Sequence, residues 1–184
     1  MDNWNNKIHI SKMTKGFFMR SKAIRVFPPD TNTDEIISGK YKYDELDMEK
    51  LAVHTFESID KDFYEDSKRE KNPMIVSARN FGCGSSREQA PQVLKACGIS
   101  CIVAESFARI FYRNCFNVGL PAIECAKISE GVSKDDELEV DYGSGKIKNL
   151  TSGEEYEFKP IPRYMQEILD AGGLIPHLLK KGGF

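Results

Sequence analysis

The sequence predicts an α/β domain with a βαβ core and a small antiparallel β portion. Two short apolar runs of strand type, Met74-Ile75-Val76-Ser77-Ala78 and Cys101-Ile102-Val103-Ala104, flank a helical stretch that stops at Gly98. Strand, helix, strand is the order that makes a parallel pair with a crossover. A further helix leads to the strand Ala122-Ile123-Glu124. Beyond it, Glu137 to Asp141, Lys146 to Leu150 and Glu155 to Phe158 alternate around Gly143, Gly145 and Gly153, the pattern of an antiparallel meander.

Taken in order, residues 1–21 are Asn- and Lys-rich, lack an apolar period and read as an N-terminal appendage, so the domain proper is assigned to 22–184. Its first clear strand is Ala23-Ile24-Arg25-Val26-Phe27. Pro28-Pro29-Asp30 ends that strand, and Asp30-Thr31-Asn32-Thr33-Asp34 is a turn rich in side chains that bond their own backbone. Met48, Leu51, Ala52 and Phe56 recur at helical spacing, with Asp47 placed as the cap. The charged run Lys61 to Lys71 reads as a solvated connection. The strand at Met74 leads into Asn80-Phe81-Gly82-Cys83-Gly84-Ser85-Ser86-Arg87-Glu88-Gln89-Ala90, where a helix is expected to begin at the Ser-Ser pair and run through Val93, Leu94 and Cys97. Ser106 is expected to cap a helix from Phe107 to Phe116, and two short helices near Met165–Leu169 and Leu174–Leu179 close the chain.

Composition narrows the function. At 184 residues and 40% hydrophobic content, one well-buried core is the expectation. With a net charge of −2 and Lys and Arg mixed among Asp and Glu, no basic face is available for a run of phosphates, so nucleic acid is not an expected partner. No apolar stretch approaches the roughly 20 residues that span a bilayer. The five cysteines, an odd number without a framework spacing, fit a reducing compartment such as the cytosol. Cys97 and Cys101 are four apart, but Gly98-Ile99-Ser100 between them reads as a helix end, so buried thiols are expected rather than a metal site.

The chemistry concentrates at Gly82-Cys83-Gly84-Ser85-Ser86-Arg87-Glu88. Glycines let backbone approach a ligand, and a helix start points unpaired N–H groups outward, which suits a carboxylate or oxyanion. The same residues also fit a plain capping box, Ser85 as N-cap and Glu88 reaching back. The segment is not a Walker loop, and it lacks the third glycine of a dinucleotide fingerprint.

The string Asn80-Phe81-Gly82-Cys83-Gly84-Ser85-Ser86-Arg87-Glu88-Gln89-Ala90-Pro91 closely resembles the signature of the small subunits of 3-isopropylmalate dehydratase and homoaconitase, which correspond to the swivelling C-terminal domain of aconitase. Asp30 to Ile36 resembles the Asn-Thr-Asp loop of that family, Ser106 to Asn114 its second motif, and Gly172-Gly173-Leu174 its C-terminal end. The likeness runs from about Lys22 to the terminus.

This resemblance implies a β/β/α swivelling-domain fold and a hydro-lyase. Ser85 would exchange a proton with substrate carbon as an alkoxide, Ser86 and Arg87 would bind substrate carboxylate, and Asp34 matches the active-site acid, with turn capping as its alternative role. Arg109 and Arg113 are assigned to holding the motif's loops or the subunit contact, and His54, Cys83 and His177 to ordinary packing or surface roles. Large subunits of the family bind a 4Fe-4S cluster through three cysteines, two in Cys-x-x-Cys. This chain has no Cys-x-x-Cys, so no metal is assigned to it, and the cluster is expected in a large partner subunit.

For substrate, the family likeness points to the loop Gly39-Lys40-Tyr41-Lys42-Tyr43-Asp44. Residues after the tyrosine matching Tyr41 form its specificity loop, apolar for isopropylmalate and carrying arginine for homoaconitate. Lys42 and Tyr43 depart from both patterns, and the loop is one residue longer. Tyr43 can pack against an alkyl group and no arginine is present, so a small dicarboxylate of the C-alkyl malate type is expected, isopropylmalate first, with 2,3-dimethylmalate or another methylmalate, and then homoaconitate, as alternatives. The competing non-enzyme reading is a regulatory protein that kept only the carboxylate pocket.

Overall fold

The computed structural model describes residues 18–41 and 47–182. Its seven strands form one sheet in the order β4-β3-β2-β1-β5-β6-β7. β1 (Phe18–Phe27), β2 (Met74–Ser77), β3 (Cys101–Ala104) and β4 (Ala122–Glu124) run parallel, while β5 (Glu137–Asp141), β6 (Lys146–Asn149) and β7 (Glu155–Glu157) continue antiparallel. β1 splices the two halves. Its first half, Phe18 to Lys22, pairs antiparallel with β5, and after an irregularity between Ala23 and Arg25 its second half pairs parallel with β2.

The burial pattern follows from that splice. β2 and β3 are buried along their whole length, as strands covered on both faces must be, whereas β5 and β6 alternate. β1 begins at Phe18, ahead of the expected Ala23, so residues 18–21 belong to the sheet and not to an appendage. The alternation Met19, Ser21, Ala23 on the inner face was masked by a serine, which is tolerated there because its hydroxyl donates to the Lys71 carbonyl.

The helices are α1 (Thr33–Ile36), α2 (Met48–Ala52), α3 (Phe63–Arg69), α4 (Gln89–Ala96), α5 (Arg109–Val118), α6 (Ile128–Gly131), α7 (Arg163–Ala171) and α8 (Leu174–Lys180). Asp47 caps α2 as expected, accepting from the Glu49 N–H. The charged run 61–71 holds α3 where a plain connection was expected: Phe63 is fully buried and stacks edge-on against Phe56, and Arg25 pairs with Asp60 and Asp66. Many charges hid one aromatic anchor. α5 begins at Arg109, and Ser106 does not cap it; its hydroxyl accepts from the Asn80 N–H and ties two loops together. No helix among the described residues is long and apolar enough to cross a membrane.

Candidate active site

Loops leaving the carboxyl ends of three adjacent parallel strands build the site. Beyond the strands they keep the order of the sheet: Asn32 bridges Cys83, and Phe81 bridges Phe107, both in parallel register. The Gly82 N–H donates to the Thr31 carbonyl and the Thr33 N–H to the Cys83 carbonyl, each at 2.8 Å; the Phe81 N–H reaches the Ser106 carbonyl and the Ala108 N–H the Phe81 carbonyl, each at 3.0 Å. Open parallel sheets place ligands outside their strands' carboxyl ends. Here a cavity of about 220 Å³ opens, lined by Thr33, Gly84, Ser85, Ser86, Arg87, Arg109 and their neighbours.

Gly82 lets the floor of this cavity close. It has φ of +77°, and a Cβ added there would sit 2.2 Å from a ring carbon of Phe111. Gly82→Ala is therefore expected to lower the stability of the chain by about 2 kcal/mol or more, from left-handed backbone plus overpacking. Thermal unfolding of the purified variant checks this.

Both serines are exposed at the cavity. The expected helix start at the Ser-Ser pair is corrected: α4 begins at Gln89, with Glu88 at the cap position and no side-chain cap bond, so the capping-box role for Ser85 and Glu88 falls away. The backbone stays out of the helix where it is held by other partners. Thr33 Oγ1 donates to the Ser85 carbonyl at 2.8 Å, and Arg87 Nη1 donates to the Ile37 carbonyl at 2.8 Å.

Asp34 is not the capping residue of its turn. Asn32 fills that place, its side-chain oxygen accepting from the N–H groups of Asp34 at 2.9 Å and Glu35 at 3.0 Å, while the Glu35 carboxylate accepts from the Asn32 N–H at 2.7 Å. The Asp34 carboxylate pairs instead with Arg87 Nη2. The Arg87 side chain is 16% exposed and that of Asp34 54%. A guanidinium has five N–H donors in a rigid fork, so these two partners orient Arg87 and leave donors for a ligand.

The structure thus brings Ser85, Ser86, Arg87 and Asp34 together. Lys42 and Tyr43 lie outside the described residues. Arg109 lines the cavity, and among the described residues neither its side chain nor that of Arg113 makes a hydrogen bond or ion pair. The loops are held by backbone pairing and by Thr33 and Ser106, of which Thr33 lay unremarked within the Asn-Thr-Asp resemblance. Among the described residues no group of three His, Cys, Asp or Glu is placed to hold a metal. The cysteines are free, and burial pushes the thiols of Cys97 up to about 11 and Cys101 up to about 12, which opposes the thiolate form that ligates iron.

Fold and site together define an α/β domain that carries a loop-built pocket at the carboxyl edge of its parallel strands. A family model for the aconitase C-terminal domain matches residues 19–127. The 3-isopropylmalate dehydratase small subunit of Caldicellulosiruptor bescii is 51% identical over 144 residues, covering 78% of this chain and 85% of that one. The isopropylmalate/citramalate isomerase small subunit of Methanocaldococcus jannaschii is 52% identical over 155 residues, covering 84% and 90%. A crystal structure of 3-isopropylmalate dehydratase from M. jannaschii superimposes with a TM-score of 0.80 at 37% identity, covering 89% of this chain and 95% of that chain. The chain belongs to the aconitase C-terminal domain family, among the small subunits of 3-isopropylmalate dehydratase.

Proposed function

We propose that this chain is the small subunit of a two-subunit hydro-lyase that interconverts 2- and 3-isopropylmalate by removal and re-addition of water. One observation carries the reading: Arg87 is held by Asp34 and Ile37 at the rim of a cavity that also presents Ser85 and Ser86. Arg87 and Ser86 bind a carboxylate of the substrate, Arg87 through its remaining N–H donors. Ser85 moves the proton at the neighbouring carbon. A serine hydroxyl is too weak a base unless its oxyanion is stabilised, and Arg87 supplies positive charge close by in sequence and in the cavity lining. Asp34 orients Arg87 as its ion-pair partner. A 4Fe-4S cluster held by the large subunit would supply a Lewis acid for the substrate hydroxyl.

The names of the relatives support the dehydratase reading and the need for a large subunit. Five free cysteines suit a cytosolic location. The relative named for isopropylmalate and citramalate favours a second reading of the substrate, in which a methylmalate is also accepted.

Reconstitution tests this proposal. The isolated chain is expected to be colourless and inactive, with turnover only on mixing with an anaerobically reconstituted large subunit. Isopropylmalate is expected to be preferred over dimethylmalate, citramalate and homocitrate. Stoichiometric iron on this chain alone would contradict the division of labour, and preference for homocitrate would contradict the substrate.

A further inference from the structure

Beside the cavity, on the far side of Gly39, three side chains gather on a single carboxylate. Glu57 accepts from the Tyr41 hydroxyl at 2.6 Å, pairs with Lys40 Nζ at 2.6 Å, and meets His54 Nδ1 at 2.7 Å through its other oxygen. The rings of Tyr41 and His54 stack with centroids 4.0 Å apart, and Lys40 Nζ lies 4.6 Å from the Tyr41 centroid. Burial alone would raise the Glu57 carboxyl, but hydrogen bonds from Lys40, Tyr41 and His54 outweigh it and hold the group at about 2. Glu57 is therefore ionised at any working pH. None of these contacts serves the candidate active site directly.

Their effect on it is geometric. Lys40 and Tyr41 belong to the same 3-10 turn as Gly39. A Cβ at Gly39 would lie 2.9 Å from Arg87 Nη2 and 3.2 Å from Nη1, so the bare backbone of Gly39 packs against the guanidinium. The residue preceding Glu57 reaches the other support of Arg87: the Phe56 N–H donates to the Ile36 carbonyl at 3.0 Å, next to the Ile37 carbonyl that accepts from Arg87. Phe56 does so at φ of +58°, fully buried and stacked 4.3 Å from Phe27. A bulky residue keeps that conformation only where its surroundings hold it. Segment 54–57 thus bears on both walls of the slot in which Arg87 sits.

We propose that Glu57 is a positioning residue for the carboxylate-binding Arg87: by clasping Lys40, Tyr41 and His54 it presses the Gly39 backbone against the guanidinium and fixes its pose. The proposal rests on the reading of Arg87 as the substrate-carboxylate ligand. A side chain at position 39 would make the guanidinium shift away from this wall.

Steady-state kinetics of the two-subunit complex with isopropylmalate test it. Glu57→Ala is expected to raise KM about tenfold, the size of one charge-assisted hydrogen bond lost, with kcat within about twofold, the pattern of uniform binding removed. Glu57→Gln, which keeps an acceptor for Tyr41, and Tyr41→Phe, which keeps the ring stack, are expected to give smaller rises in the same direction and cover the case in which the alanine variant does not fold. In an Arg87→Lys background Glu57→Ala should add almost nothing, because contacts acting through one group are not additive. An unchanged KM in a folded Glu57 variant overturns the proposal. So does a KM rise that persists undiminished with Lys at position 87. If Arg87→Lys by itself leaves KM and kcat unchanged, the reading of Arg87 fails, and that outcome is distinct from a null result at Glu57 alone.

Discussion

Ser85→Ala is expected to lower kcat of the reconstituted complex by about a thousandfold, the upper part of the range for loss of a positioned base. The fold should not notice. Ser85 is exposed at the cavity, and the contact that shapes its loop, from Thr33 Oγ1, is made to its backbone carbonyl, which alanine retains. Complex formation with the large subunit and the melting temperature should match the parent protein. A variant retaining a tenth of the parent rate would sink the assignment of Ser85 as the base, because no neighbouring hydroxyl could then be separated from it by chemistry alone; Ser86→Ala, expected to act chiefly on KM, provides the comparison.

Arg87→Lys is the second large effect, a fall in kcat/KM of about a hundredfold, near 3 kcal/mol, since breaking a charged, largely buried clamp loses the fork geometry as well as hydrogen bonds. The parent guanidinium donates to the Ile37 carbonyl and the Asp34 carboxylate at the same time and still has donors in the same plane. An ammonium on a flexible stem satisfies one partner and leaves the others. Asp34→Asn in the same assay separates orientation from charge: loss of the ion pair should raise KM in the direction of Arg87→Lys, to a smaller extent. If Arg87→Lys changes KM only slightly with rate unchanged, Arg87 lies outside the site.

Where sequence reasoning failed, local signals competed with tertiary ones. Ser85-Ser86-Arg87-Glu88 is a sound helix-capping string, yet α4 waits until Gln89. Thr33 and Ile37, some fifty residues away in sequence, take the Ser85 carbonyl and the Arg87 guanidinium and hold the backbone open. Ser106 was read as a helix cap for the same reason, and its hydroxyl is instead claimed by the Asn80 N–H. The run 61–71 looked solvated because its charges outnumber Phe63, and only the aromatic cluster with Phe27 and Phe56 makes it a helix against the core.

The parallel strands β2, β3 and β4 and the antiparallel β5 to β7 were all legible in the sequence, because their periodicity records burial on two faces or on one. So was the Gly82 to Arg87 string, whose residue types announce backbone approach and carboxylate chemistry, and the family follows from it. Which groups hold Arg87 was not legible. Asp34, Ile37, Gly39 and, behind them, Glu57 meet at the guanidinium only because β1 and β2 lie side by side and their outgoing loops keep pairing beyond the strands. A hydrogen bond across fifty residues leaves no period in a sequence; the sheet order that brings its partners together is a property of the packed chain.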